Sequence, residues 1–303
     1  MDLKGFRKKL MTAVQEKLPD VVLYEQDARK NNGVVFCAIT VQEKGCNIGP
    51  CIFIEGFYDE YQSGKKSMES IAEEFVRLYW KKRGNENFDV SQFMDYAKAR
   101  PRIRGRLVNT EKNKEMLGNM LHRDFLDLSL IYCVDFESGD GSGKASIQIH
   151  ESQMERWEVT EEDLYEQFHE NIEREDNSEI VSLMDILSES GIPFVNGQEG
   201  ATDEPDMVPM YVLTNQQKLD GAVEILNKKA MKKAAAMLGD DFYILPSSVH
   251  ETILIPVRGN EDCAGELAAM VNEINGTQLA EIEILSGHVY RYCRKRGQIE
   301  IAA

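Results

Sequence analysis

The sequence has no apolar run that approaches the ~20 residues needed to cross a bilayer. Its apolar runs, such as residues 51–54 and 210–213, have the length of single strands. In the first helix candidate the apolar residues are spaced, whereas a secretion signal needs a contiguous apolar block. We therefore expect neither a membrane span nor a signal peptide, and the chain is predicted to be cytoplasmic.

Cysteine and histidine are few and scattered. The six cysteines lack the spacing of a zinc site or a disulfide framework. His169 and Glu173 would share a helix face, but the zinc-protease pattern needs a second histidine where Glu173 stands. We therefore expect no metal and no cofactor, and the cysteines are predicted to be free thiols in a reducing compartment.

Positive charge is scarce in the second half of the chain, where acidic residues outnumber basic ones. Residues 1–150 hold 23 Lys and Arg against 22 Asp and Glu, whereas residues 151–303 hold 12 against 30. Residues 151–206 alone carry 2 basic and 18 acidic side chains. The acidity belongs mainly to one segment, and it predicts an acidic surface that binds a basic protein partner.

Period-two alternation of apolar residues, which indicates strands, and helical apolar spacing, which indicates helices, together predict the fold class. Asp2 can cap a first amphipathic helix, and residues 31–33 (Asn-Asn-Gly) supply the positive φ angles of a tight turn between two strands. Thr160 with Asp163 forms a capping-box-like helix start. Strand pairs joined by short turns, with helices after them, predict an α+β fold with a mixed or antiparallel sheet and peripheral helices.

The chain is also predicted to form two lobes. An N-terminal lobe spans residues 1–189 and includes an acidic helical segment at 151–189, whose second helix carries an apolar stripe over 180–187. Residues 190–207 lose periodicity and gather Gly, Pro, Asp and Glu, so they predict a loop or linker. Residues 208–303 form the C-terminal lobe.

An arginine-rich stretch over residues 100–107 alternates with period two and predicts a strand. On it Arg100, Arg102, Arg104 and Arg106 would share one face, ~7 Å apart, and would favour anions. The anion is a nucleic-acid backbone, a phosphorylated ligand or the chain's own acidic segment. No aromatic residue interleaves with these arginines, which disfavours nucleic acid. Intrachain pairing is the simplest hypothesis, and an anion-binding site is the alternative.

The stretch Pro246-Ser-Ser-Val-His-Glu251 most resembles catalytic sequence. If residues 249–255 form a strand, Ser248 and His250 project from one face, as a hydrolase's nucleophile and base could. No Gly-x-Ser-x-Gly elbow exposes the hydroxyl, so a serine-rich turn beside a hydrogen-bonded histidine is the plainer interpretation. The leading hypothesis is a non-catalytic binding protein, and a hydrolase using Ser248 and His250 is the alternative.

Several phrases together carry a family resemblance: Asn31-Asn-Gly33, Leu107-Val-Asn109, Thr214-Asn215, Leu245-Pro-Ser-Ser-Val-His-Glu251 and Val271-Asn-Glu-Ile-Asn275. The sequence resembles an uncharacterised family of unknown function from anaerobic gut bacteria. The resemblance covers nearly the whole chain, so it implies one continuous unit over two unrelated domains. It brings no activity, cofactor or catalytic residue with it.

Overall fold

The structure is a computed structural model that describes residues 1–46, 49–83, 91–137, 144–189, 208–257 and 263–303. The chain divides into two compact units, Met1–Ser91 and Gln92–Ala303. All strand pairs within the described ranges are antiparallel. The predicted α+β class, with antiparallel sheets and accompanying helices, is confirmed.

Within its described residues, the first unit combines a sheet in the strand order β1-β2-β3 with the α-helices α1 to α3. Its elements are α1 (Leu3–Lys17), β1 (Val21–Arg29), β2 (Val35–Glu43), β3 (Cys51–Phe53), α2 (Glu55–Gln62) and α3 (Met68–Lys82). The core joins buried apolar residues of α1, β2, β3 and α3, among them Phe6, Leu10, Ile39, Ile52 and Phe75.

Local sequence signals set the start of α1 and the turn between β1 and β2 as expected. The Asp2 side chain accepts a hydrogen bond from the backbone N–H of Gly5 at 2.9 Å and so caps α1. Between β1 and β2, Asn32 and Gly33 have φ angles of 58° and 73°. These are the left-handed conformations that an Asn-Gly turn tolerates, so the predicted turn is confirmed.

The second unit holds the other elements. Its strands are β4 (Ile103–Asn109), β5 (His122–Phe125), β6 (Leu128–Glu137), β7 (Lys144–Gln148), β8 (Ser178–Ser182), β9 (Tyr211–Asn215), β10 (Phe242–Leu245), β11 (Thr252–Pro256), β12 (Tyr290–Cys293) and β13 (Gln298–Ile301). The remaining helices are α4 (Ser91–Met94), α5 (Tyr96–Ala99), α6 (Lys114–Leu117), α7 (Glu151–Trp157), α8 (Glu161–Glu175), α9 (Leu183–Glu189), α10 (Lys228–Leu238) and α11 (Ala264–Thr277).

Two sheets organise this second unit. In the smaller one, β4 pairs along one edge of β6, while β5 and β7 share the other edge. The larger one has six strands in the order β13-β12-β10-β11-β9-β8. Its buried residues Tyr243, Leu245 and Ile255 pack with Val271 of α11. None of the helices described is long and apolar enough to cross a membrane.

The division of the chain differs from the predicted lobes 1–189 and 208–303. Strand β8 comes from the acidic segment 151–189, yet it pairs along its whole length with β9 of the predicted C-terminal lobe. The two predicted lobes therefore share one sheet, and the two compact units instead meet in sequence at Ser91 and Gln92. The predicted loop or linker at 190–207 lies outside the described residues.

One predicted helix is only half right. The apolar spacing over residues 180–187 predicts a single helix, but Ser178–Ser182 is strand β8 and the helix α9 begins at Leu183. Ile180 and Val181 are β-branched residues that suit a strand. Backbone hydrogen bonds to β9 make residues 178–182 a strand. A local apolar pattern carries no information about that distant partner.

Candidate functional site

A small cleft lies in the second unit between β4, α8 and a 3-10 helix at Gly221–Leu226. Its volume is about 170 Å³. The charged residues that line it are Arg104, Arg106, Asp135, Glu175, Asp220 and Glu224. Uncharged lining residues include Cys133, Asn177, Asn215, Phe168, Ile172 and Val223. Ionisable groups of both signs thus face a confined space with one apolar wall.

Two glycines let the walls of this cleft approach one another. A Cβ atom on Gly105 of β4 would lie 2.5 Å from Cδ1 of Leu130 and 2.8 Å from Cε2 of Phe168 on α8. A Cβ atom on Gly221 would lie 2.5 Å from the carbonyl oxygen of His250 and 2.8 Å from the backbone nitrogen of Asn215. All four distances are shorter than a Cβ atom tolerates, so a side chain at either position would displace its neighbours.

Glu224 is the most unusual group in the cleft. Glu224 is 3% exposed, and Oε2 of its carboxyl accepts a hydrogen bond from Nδ2 of Asn227 at 2.8 Å. The pKa of Glu224 is raised to about 7, chiefly by burial and also by the charges of Asp176 and Glu175, while the hydrogen bond from Asn227 opposes the rise. A carboxyl group that takes up and releases a proton near neutral pH is therefore held inside the cleft.

The two arginines of the cleft are each paired with a carboxylate. Nε of Arg106 lies 3.0 Å from Oδ2 of Asp220, and the Arg104 guanidinium forms an ion pair with Glu175. All four side chains are partly shielded from solvent. Such partly buried ion pairs position their members more firmly than exposed pairs do, and the Arg104–Glu175 pair is also hydrogen-bonded.

Cys133 on β6 lies beside the Arg106 guanidinium. Cys133 is 1% exposed. Its thiol has a pKa raised to about 11, because burial raises the pKa more than the charge of Arg106 lowers it. The thiol is therefore protonated at neutral pH, and the thiolate that would act as a nucleophile is scarcely populated.

The arginine row does not form the continuous strand face that the alternation predicts. Arg100 and Arg102 belong to a 3-10 helix at Arg100–Arg102, and strand β4 starts only at Ile103. Pro101 at the first helical turn explains the difference, because its fixed φ suits a helix start and it lacks an N–H for strand pairing. Only Arg104 and Arg106 alternate along the strand.

The partners of these arginines come from the same chain. Arg100 lies 3.3 Å from Glu170 of α8 and hydrogen-bonds Gln167, while Arg102 hydrogen-bonds Gln92. With the pairs Arg104–Glu175 and Arg106–Asp220, three of the four guanidiniums contact carboxylates. Two of the three carboxylates belong to the acidic segment 151–206. These contacts agree with the intrachain pairing that was the simpler hypothesis.

Ser248 and His250 lie in an irregular segment, because strand β11 begins at Thr252 rather than at Val249. Ser248 is 7% exposed, and its hydroxyl oxygen accepts a hydrogen bond from the backbone N–H of His250 at 3.1 Å. Nδ1 of the His250 ring accepts from the backbone N–H of Asp220 at 3.2 Å. Neither contact is the hydroxyl-to-imidazole hydrogen bond that defines a nucleophile and its base.

Sequence reasoning identified two of the six charged cleft residues, Arg104 and Arg106, as candidate site residues. Sequence reasoning missed Glu224, although a signal exists, since this acid interrupts the apolar run of residues 221–226 (Gly-Ala-Val-Glu-Ile-Leu). No local signal marks Asp220 or Asp135. In the part of the chain that the structure describes, no group of three or more His, Cys, Asp or Glu could hold a metal ion.

Fold and cleft together define an α+β protein with two compact units and a confined, mixed-charge pocket in the second unit. The model of a family of unknown function, DUF5688, matches residues 3–294, and the chain belongs to that family. The resemblance to an uncharacterised family is confirmed. Neither a search of curated proteins nor a search of solved structures finds a match.

Proposed function

We propose that this chain is a binding protein whose ligand site is the cleft between β4, α8 and Gly221–Leu226. The observation that carries the proposal is the Glu224 carboxyl, which is buried yet lines the cleft. Among the described residues, no lysine or arginine forms an ion pair with it. A buried ionisable group of this kind costs folding free energy, and such groups concentrate at functional sites.

The position of Glu224 also favours this cleft over two larger depressions. These depressions, of about 410 and 460 Å³, are open to solvent. The described residues that line them include no buried ionisable side chain. A confined pocket with an apolar wall and a few placed polar groups is the usual form of a small-molecule site.

The other groups of the cleft support binding rather than catalysis. The pairs Arg104–Glu175 and Arg106–Asp220 occupy both guanidiniums, and the Cys133 thiol is protonated. These groups shape the wall of the cleft, and the Cys133 thiol, with a pKa of about 11, is not an activated nucleophile.

Thermal unfolding of the full chain tests the proposal. Wild type, Glu224→Gln and Glu166→Gln would be melted with a panel of amines, carboxylates, phosphate esters and neutral polyols of about six to ten non-hydrogen atoms. We expect at least one class to raise the Tm of wild type and of Glu166→Gln, an exposed control on α8, but not of Glu224→Gln. The proposal fails if no class raises the wild-type Tm, or if Glu224→Gln responds equally.

A further inference from the structure

We propose that the ligand of this cleft is a small organic cation, a primary ammonium on a short apolar chain, with its charged head against Glu224. This inference rests on the cleft being the ligand site, and it adds the chemical class of the ligand. Charge, hydrogen-bonding capacity, an apolar wall and size each support it.

Charge selects a cation over an anion. Among the described lining residues, the carboxyls of Asp135, Glu175, Asp220 and Glu224 outnumber the guanidiniums of Arg104 and Arg106. Glu175 and Asp220 are paired with these arginines. The carboxylates of Asp135 and Glu224 therefore remain as an excess of negative charge in the described lining. In a confined site of low dielectric an added anion would be repelled, whereas a cation would restore balance.

The hydrogen-bonding capacity of Glu224 suits an ammonium group. An ionised carboxylate has about four acceptor positions, and the Asn227 amide occupies one of them on Oε2. A primary ammonium offers three donors and no acceptor. The side-chain oxygen of Asn177, which lines the same cleft, can accept a further N–H group, whereas that of Asn215 already accepts from the backbone N–H groups of Gln217 and Leu219.

An apolar wall faces the rest of the ligand. Phe168 and Ile172 of α8 line the cleft together with Leu219 and Val223. A hydrocarbon chain placed against them leaves water at about 0.8 kcal/mol per buried CH₂. The cleft therefore fits a cation that carries a short alkyl chain better than it fits a bare inorganic ion.

Size limits that chain. The cleft measures about 170 Å³, close to the ~150 Å³ of an apolar protein cavity known to hold benzene. A ligand of about six non-hydrogen atoms follows from this comparison. The n-pentylammonium ion has that size, and pentan-1-ol and pentanoate are its neutral and anionic counterparts.

Calorimetric titration of the full chain at about pH 8, where the Glu224 carboxyl is largely ionised, tests the ligand class. The probes are n-pentylammonium, pentan-1-ol and pentanoate, each at up to about 10 mM. We expect n-pentylammonium to bind wild type about 10- to 100-fold more tightly than pentan-1-ol, as a charge-assisted hydrogen bond allows. Glu224→Gln should remove this preference, whereas Glu166→Gln should retain it.

Other outcomes overturn the inference in distinguishable ways. Equal binding of n-pentylammonium and pentan-1-ol, or tighter binding of pentanoate, would reject the cationic class. So would an ammonium preference that survives in Glu224→Gln. Failure of all three probes would also reject it, and the separate thermal panel would then show whether the cleft binds another class of compound.

Discussion

The Asn227 amide donates a hydrogen bond from Nδ2 to Oε2 of Glu224 at 2.8 Å, and this contact fixes the carboxyl in the cleft wall. The same residue caps α10, since its Oδ1 accepts from the backbone N–H groups of Lys229 and Ala230 at 3.0 and 3.3 Å. One asparagine therefore joins the start of a helix to the buried acid, and the cap holds the Asn227 amide in place as a donor to the carboxyl.

Replacing Glu224 by glutamine should stabilise the protein at alkaline pH. The pKa of Glu224 is raised from 4.5 to about 7, chiefly by burial, so between these values the folded chain keeps a proton that the unfolded chain has lost. Wild-type stability therefore falls as pH rises through this window, and Glu224→Gln lacks the loss. From about pH 5 to about pH 8 the variant should gain roughly 2 kcal/mol over wild type in urea unfolding.

The matched control is Glu166→Gln, which removes an exposed carboxylate from α8. Its stability difference from wild type should stay within about 0.5 kcal/mol at both pH values. If Glu224→Gln and Glu166→Gln follow the same pH profile, burial of Glu224 is not what governs its titration.

Gly105→Ala should destabilise the second unit. The new methyl group would meet Leu130 and Phe168 at 2.5 and 2.8 Å, so β4 and α8 must separate. Overpacking of this kind costs about 1–3 kcal/mol. Calorimetric melting should show a lower Tm for Gly105→Ala.

Gly265→Ala provides a control of opposite sign. A Cβ atom on Gly265 of α11 would meet nothing within 4 Å, and alanine in a helix is favoured over glycine by about 0.5–1 kcal/mol. The Tm of Gly265→Ala should therefore equal or exceed that of wild type. A similar Tm for Gly105→Ala and wild type would contradict the close approach of β4 and α8.

Fluorophosphonate treatment should leave Ser248 unlabelled. This hydroxyl is largely buried and accepts a hydrogen bond from the backbone of His250, and the imidazole engages Asp220. An unactivated serine reacts too slowly with the probe to be modified. Peptide mass spectrometry would detect the adduct, and labelling at Ser248 that vanishes on unfolding would revive the hydrolase alternative.

The basic protein partner expected from the acidic segment stays a prediction, and its test is electrostatic. Glu155 of α7 and Glu166 of α8 are exposed. If the exposed acidic residues of α7 and α8 bind a cationic partner, a lysine-rich peptide should bind with an affinity that falls as salt rises. Glu155→Gln with Glu166→Gln should weaken that binding more than the exposed control pair Asp20→Asn with Asp59→Asn. Salt-independent binding, or equal effects of the two pairs, would reject this prediction.

Much of the local structure could be predicted from the sequence because it depends on neighbours along the chain. Asp2 caps α1, and Thr160 with Asp163 forms the reciprocal hydrogen bonds of a capping box at the start of α8. The turn at residues 31–33 follows from the left-handed conformations that asparagine and glycine tolerate. In each case the partner lies within a few residues, so the pattern contains the whole interaction.

The errors arise where a distant partner or a proline overrides a local pattern. Residues 180–187 have helical apolar spacing, but pairing with β9 makes Ser178–Ser182 a strand. At residues 100–102 the alternation of arginines predicts a strand, and Pro101 and the contacts of Arg100 with α8 favour a helical turn instead. Long-range hydrogen bonds outweigh propensities of a few tenths of a kcal/mol per residue.

By itself the sequence determined the class of the fold, the caps and turns, and the uneven charge of the two halves. Tertiary structure alone decided the cleft, because Arg106 of β4, Glu175 of α8 and Glu224 of the 3-10 helix at Gly221–Leu226 are far apart along the chain and line one space only in the folded unit. The shifted pKa of Glu224 has the same origin, since the low-dielectric surroundings that raise it are made of residues far away along the chain.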